Sequence, residues 1–266
     1  MLEDFSFASF KEKFKTEKRF RIIVISVGTL LVSALLLFGY YQFFYLPKEE
    51  ASHEIYVEAL NNSNDFNERN AILYQLDDFQ MQLNEIKKDS VQLDSAKIDS
   101  LQQNISALSL RLEEKESNIS KQIRKLESNI EEYEGYGGEL AAKYVLGTYF
   151  MKDGQYQKAL TLFEQLEVND TFLSSMIPGL KGDCYSNLGD YSKAYNHYAI
   201  AYNTNFNDFT TPMYLWKAGL VAEKLNQFEE ASYCFQKLKN EFPNSSFVRN
   251  NRIDFHIERA KNSMVQ

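Results

Sequence analysis

Three histidines (His53, His197 and His256) and two cysteines (Cys184 and Cys234) are the side chains in this sequence best suited to hold a metal or act as nucleophile and base. Zinc needs three or four such ligands brought together, usually in close-set pairs along the chain. Here the five are scattered, and no histidine has a Cys, Asp or Glu at ligand spacing. The cysteines lie far apart, which suits neither a disulfide framework nor a zinc site. Both fall in helical patterns, where cysteine acts as a small apolar residue, and His197 is expected at a helix surface. The acidic runs "EEYE" and "EKE" read as solvated helix faces. No glycine-rich phosphate loop, H-E-x-x-H or G-x-S-x-G occurs. The expectation is a non-enzyme with no catalytic residue, no cofactor and no metal.

What remains is recognition by contact. Tyr144, Thr148 and Met151, then Met176, Asp183 and Ser186, then Met213, Trp216, Leu220 and Glu223 form a spaced row. Methionine adapts to varied partners, and tryptophan is enriched where binding energy concentrates. Asp183 and Glu223 add acceptors for an extended backbone or for basic residues. The row suits a groove for an apolar peptide or partner helix. Its other use is packing against an N-terminal helix or the coiled coil described below.

The elements that position this row are repeats. "VLGTYFMKDGQYQKALTLFEQL", "LKGDCYSNLGDYSKAYNHYAIA" and "KAGLVAEKLNQFEEASYCFQKL" share one pattern. Gly147, Gly182 and Gly219 stand in mid-helix, where glycine costs about 1 kcal/mol. Ala159, Ala194 and Ala231 keep the same spacing, followed by Phe163, Tyr198 and Phe235. Small residues at both places predict two helices in close approach. Gly154, Gly189 and Asn226 fall where the first helix ends and a left-handed residue is useful. Three units in phase make the tetratricopeptide pattern, whose first helices line a concave surface. After "PNSS" one final helix, capped by Ser245 or Ser246, presents Phe247, Ile253 and Ile257 to the stack. Arg249, Arg252 and Arg259 are expected to stay wet.

The chain has 266 residues and a formal net charge of -8. Its acidic bulk lacks the basic face that nucleic-acid binding needs. Ile22 to Tyr41 carry no charge, and such a run spans a hydrocarbon core of about 30 Å. The exit is bulky and aromatic, without a small-residue cleavage site, so an uncleaved single-span anchor is expected. Lys11, Lys13, Lys15, Lys18, Arg19 and Arg21 precede it and should hold the N-terminus in the cytoplasm. Phe5, Phe7, Phe10 and Phe14 among these lysines suit an interfacial amphipathic helix or a basic tail.

From Arg69 to Tyr133 there is neither glycine nor proline. Leu76, Phe79, Leu83, Ile86 and Leu93 keep a narrow apolar seam. Ile98, Leu101, Ile105, Leu108 and Leu112 resume it in a second phase, and Ile119, Ile123, Leu126, Ile130 and Tyr133 in a third. This is a coiled-coil signal, with a stutter or a turn near Asp94–Lys97 and near Lys115. A long dimerising helix and an antiparallel hairpin both fit, and so does a mere spacer. The hairpin is favoured, since an inserted element must return its ends together. The expected fold is all-α: a single N-terminal transmembrane helix, a coiled-coil insertion and a tetratricopeptide-repeat α-solenoid with a C-terminal capping helix. The segments run 1–20, 21–46 (anchor), 47–66 (linker and first outer helix), 67–133 (coiled coil), 134–245 (three repeats) and 246–266 (cap and tail).

This order, with "YLPKEEASHEIYVEAL", "YGGELAAKYVLGTYF" and "FTTPMYLWKAGLVAEKL", resembles the membrane-anchored tetratricopeptide proteins of the YfgM type, in the versions found in Bacteroidota. The likeness covers residues 1–60 and 133–262, and the coiled-coil block departs from the family pattern. The resemblance implies an ancillary subunit of the SecYEG translocon in the bacterial inner membrane, with its repeats in the periplasm. It also implies partnership with a membrane-anchored chaperone of the PpiD type, and contact with nascent secreted chains. The alternative is a structural tether of an envelope or division complex, dimerising through the coiled coil.

Overall fold

The computed structural model describes residues 7–61, 64–88, 95–167, 173–250 and 252–264. Every element among them is helical. Helix α1 (Phe7–Thr16) is followed by α2 (Lys18–Tyr40), then by a widened π-helical turn (Tyr41–Tyr45) and α3 (Leu46–Asn61). From Lys18 to Ser52 the helix is unbroken for 35 residues, with a mean hydropathy of 2.6 in its most apolar stretch and none of that stretch covered. It is long and apolar enough to cross a membrane. Pro47 accounts for the widened turn: it has no N–H to donate and its ring crowds the carbonyl four residues back, so the helix loosens just before it. Tyr40 stacks on Phe44, and Tyr41 on Tyr45, along this stretch.

Helices α4 (Asn64–Lys88) and α5 (Ser95–Glu132) form the expected hairpin, antiparallel to each other. Ile72 and Leu83 of α4, and Leu101 and Leu108 of α5, are buried where the two helices pack together. At its root the Lys115 ammonium donates to Asp65 at 2.9 Å and bridges Glu68 at 2.8 Å. The first seam break, near Asp94, falls partly outside the described residues. The second, near Lys115, is no turn at all, since α5 runs straight through it. What changes there is the partner. Beyond Lys115 the buried Ile119 and Leu126 belong to the core of the first repeat, which α4 reaches at its first turn through Phe66. A helix that changes neighbours must rotate its apolar stripe, and the phase shift is that rotation.

The repeats are α6 (Gly137–Lys152) with α7 (Tyr156–Glu164), α8 (Leu173–Asn187) with α9 (Tyr191–Thr204), and α10 (Thr210–Lys224) with α11 (Phe228–Glu241). The mid-helix glycines do the same job three times. A Cβ on Gly147 would lie 2.5 Å from the Phe163 ring, on Gly182 2.6 Å from Tyr198, and on Gly219 2.5 Å from Phe235. Ala159, Ala194 and Ala231 are wholly buried beside them. Gly154, Gly189 and Asn226 have φ of 78°, 81° and 57°. Each first helix closes with the six-to-one hydrogen bond that such a left-handed residue permits: Gln155 to Phe150, Asp190 to Tyr185 and Gln227 to Ala222, at 2.8–2.9 Å.

One core joins the first repeat to α3, α4 and α5. A second joins the last two repeats to the C-terminal cap, and Tyr185 packs against both. The cap departs from expectation. It is two helices, α12 (Ser246–Asn250) and α13 (Ile253–Ser263), because Arg252 takes a left-handed φ of 49°. Ser245 Oγ accepts from the Val248 N–H at 3.4 Å and caps α12.

Candidate protein-interaction surface

All ten residues of the row are half-buried, none fully covered and none fully open. On α6, Tyr144 and Met151 lean on the first core, and burial pushes the Tyr144 phenol above its usual range. Thr148 turns its hydroxyl onto its own helix, donating to the Val145 carbonyl at 2.7 Å. On α10, Met213, Trp216 and Leu220 lean on the second core. Met176 and Ser186 lie between them on α8.

The two carboxylates do not wait for a partner. Asp183 accepts from the Tyr198 hydroxyl at 2.7 Å and from Lys217 Nζ at 2.7 and 2.8 Å. The Lys217 ammonium also lies 5.9 and 5.7 Å from the stacked Tyr198 and Tyr214 rings. The cation, two aromatic faces and a carboxylate lock α8 to α10, and burial followed by the Asp183 charge drives the Tyr198 phenol strongly upward.

Glu223 is held in the same manner at the end of the stack. Its side chain is 9% exposed. Arg259 of α13 grips both oxygens, with Nε at 3.0 Å, and His256 Nδ1 stands 3.4 Å away. The His256 ring meets Trp216 edge-on at 4.9 Å and Phe235 at 5.1 Å. So Arg259 stays exposed, as expected, and still pairs with Glu223, while His256 stands beside a carboxylate that sequence spacing did not reveal. Trp216 packs against His256 of α13. Its expected neighbours were the N-terminal helix or the coiled coil, which instead cover the first repeat.

Sequence reasoning passed over Lys217 and Tyr214. The only trace of Lys217 was its place on the same helix as Trp216. His197 is half-buried against Tyr185, with ring centroids 5.1 Å apart. Burial, then the nearby Lys181 cation, lowers its pKa. The side chain of His53 lies outside the described residues. Cys184 and Cys234 are free and fully buried, and burial pushes both thiols up to about 12. Such thiols are poor nucleophiles at neutral pH. Among the described residues no three His, Cys, Asp or Glu cluster as metal ligands do. A groove of about 600 Å³ lies elsewhere, between α11 and α13, lined by polar residues such as Glu229, Gln236 and Lys261. It contains none of the ten.

No curated protein matches the chain. The tetratricopeptide repeat family model matches residues 214–245, which spans most of α10, the Asn226 turn and α11. The geometry of that repeat, with its glycine on the aromatic and its left-handed turn, recurs in α6–α7 and α8–α9. The chain is an all-helical protein that carries tetratricopeptide repeats, a scaffold typical of protein-interaction domains.

Proposed function

We propose that the chain is a membrane-anchored protein-interaction module without catalytic activity, an ancillary subunit of a SecYEG-type translocon. It works with a membrane-anchored chaperone of the PpiD type on emerging secreted or membrane chains. The N-terminus is cytoplasmic and the repeats are periplasmic, in the bacterial inner membrane. The segment boundaries given above describe this layout. One observation carries the proposal: an apolar helix of membrane-spanning length runs on into α3, and α3 packs directly against the first helix of the tetratricopeptide stack. Such a stack would stand beside the membrane exit of a secretion channel. The resemblance to the YfgM type supplies the identity of the channel and chaperone.

The accessible part of the binding row is Tyr144, Met151, Met176, Ser186, Met213 and Leu220. Asp183, Trp216 and Glu223 are committed within the chain and serve to shape the surface, and Thr148 bonds to its own helix. A photocrosslinking amino acid at Met176 or Met213, in native membranes, tests this. Translocon or chaperone components should be recovered. Recovery of only outer-membrane or division proteins would overturn it in favour of the tether reading. That alternative draws on Tyr74, Met81 and Leu110, which are exposed on the outer faces of the hairpin. It requires dimers of the detergent-solubilised chain at micromolar concentration.

A further inference from the structure

We propose that α1 is an interfacial helix that docks on acidic phospholipid headgroups where the span enters the membrane. This rests on α2 being a membrane span. The chain bends at Glu17, whose backbone is extended (φ -101°, ψ 107°). In one straight helix Phe10 and Phe20 would stand about 15 Å apart along the axis. Instead their rings meet edge-on at 5.5 Å, and Phe14 stacks on Phe10 at 6.4 Å. Arg21 reaches back from α2, with Nε donating to the Phe14 carbonyl at 3.0 Å and Nη2 to the Lys15 carbonyl at 2.7 Å. These carbonyls belong to the last turn of α1, where the helix supplies no N–H donors to carbonyls. A cation there also suits the helix dipole. The angle between α1 and α2 is therefore set by an aromatic knot and a clamp.

At about 100° per residue, Phe7, Phe10 and Phe14 share one face of α1. Lys11 and Lys13 flank that face on either side, while Glu12 and Thr16 lie opposite. Phe7 is 82% exposed. A lysine stem can lie along apolar surface with its ammonium among headgroups. Lys18 and Arg19 continue the positive charge onto α2, so six cations face two acids between residues 7 and 21. The clamp keeps this face next to the span, so a bilayer surface is always within reach. The positive surplus selects its acidic lipids, because polybasic segments bind such surfaces electrostatically. Docking of α1 fixes the tilt and rotation of α2, and the unbroken helix passes that orientation to the repeats.

The test uses the full chain in lipid nanodiscs, either phosphatidylcholine alone or mixed with phosphatidylglycerol. An environment-sensitive dye is placed at Phe7→Cys; the native thiols are buried. The dye should emit as buried in the acidic discs and as wet in the neutral ones. Lys11→Gln, Lys13→Gln and Lys15→Gln should each shift the docking equilibrium by about fivefold, and high salt should reverse it. Trp216 emission, remote from α1, checks that the repeats stay folded in each variant. Equal emission in both lipids, or no response to the lysine variants, overturns the proposal. A chain that never enters the discs overturns the span and this inference together, whereas entry with a wet dye overturns only this inference.

Discussion

The carboxylate of Glu49 accepts from the backbone N–H of Gly137 at 3.0 and 3.1 Å, although 88 residues separate them. Gly137 opens α6, and Tyr136, the residue before it, offers no side-chain acceptor. Glu49 therefore caps the first repeat from α3, and an acid at a helix N-terminus also suits the helix dipole. Around it the Tyr45 and Tyr136 rings meet at 5.1 Å, and Lys48 lies 5.8 Å over Tyr136. Asn129 of α5 donates to the Ser52 carbonyl at 3.5 Å. The helix that leaves the apolar span is built into the repeat domain.

Removing the cap should loosen that joint. Glu49→Ala is expected to cost about 1 kcal/mol, seen as faster amide exchange in the first turn of α6 while α10 and α11 stay protected. Gly138→Ala should cost more, since its Cβ would lie 2.2 Å from Ser52 Oγ and 2.6 Å from the Ser52 backbone. Unchanged exchange in both variants would mean α3 and the repeats are uncoupled.

The repeat glycines give a second test. Gly182→Ala drives a methyl to 2.6 Å from the Tyr198 ring, and overpacking of this kind costs about 1–3 kcal/mol. Gly219→Ala should behave alike, and Phe235→Leu should recover part of the loss by making room. Gly28→Ala, with nothing within 4 Å, should leave the denaturation midpoint unmoved. Equal effects at Gly28 and Gly182 would refute the close-approach account.

Trp216 is the only tryptophan, so its emission reports on α13 directly. Truncation after Asn250 should shift that emission to the red as the His256 ring is removed. Arg259→Ala should produce a smaller shift and leave Glu223 without its bidentate partner. Emission that ignores the truncation would place the helix elsewhere in solution.

The hairpin root should depend on pH at both ends of the scale. The Lys115 hydrogen bond and charge hold the Glu68 carboxyl below its usual range. Its contribution is present above the unfolded-state value of about 4.3 and is lost as pH falls through the lower folded value. Bonds to Asp65, then to Glu68, raise Lys115. That contribution is intact below about 10.4 and disappears as pH climbs through the higher folded value. Amide protection at the start of α4 should therefore be flat near neutrality and fall in strong acid and strong alkali. Lys115→Met should abolish both falls.

The thiols should resist modification. With Cys184 and Cys234 buried and their pKa values near 12, an aromatic disulfide reagent at pH 8 should react only after denaturant is added. Rapid reaction of the native chain would contradict the core assignment.

The repeat pattern was legible in the sequence because each unit states its needs locally. Glycine at 182, alanine at 194 and glycine at 189 are demands of one helix pair on its own backbone and on its nearest neighbour in the chain. The apolar run of α2 is likewise a property of consecutive residues. The hairpin seam could be read from its spacing, and the favoured antiparallel pairing is the one the fold contains. The meaning of the phase shift at Lys115 could not, because it records which helix lies alongside, α4 before it and α6 after it.

Periodicity also picked out the ten residues spaced along α6, α8 and α10. It could not say which members were already engaged. Asp183 and Lys217 are 34 residues apart and Glu223 and Arg259 are 36 apart, and nothing local distinguishes a bound carboxylate from a waiting one. The break at Arg252 was hidden as well, since a left-handed arginine reflects what α13 gains by lying against α11 and Trp216. Short-range sterics and hydrophobic spacing are written residue by residue. The pairing of charges and the covering of faces depend on distances that exist only once the chain has closed on itself.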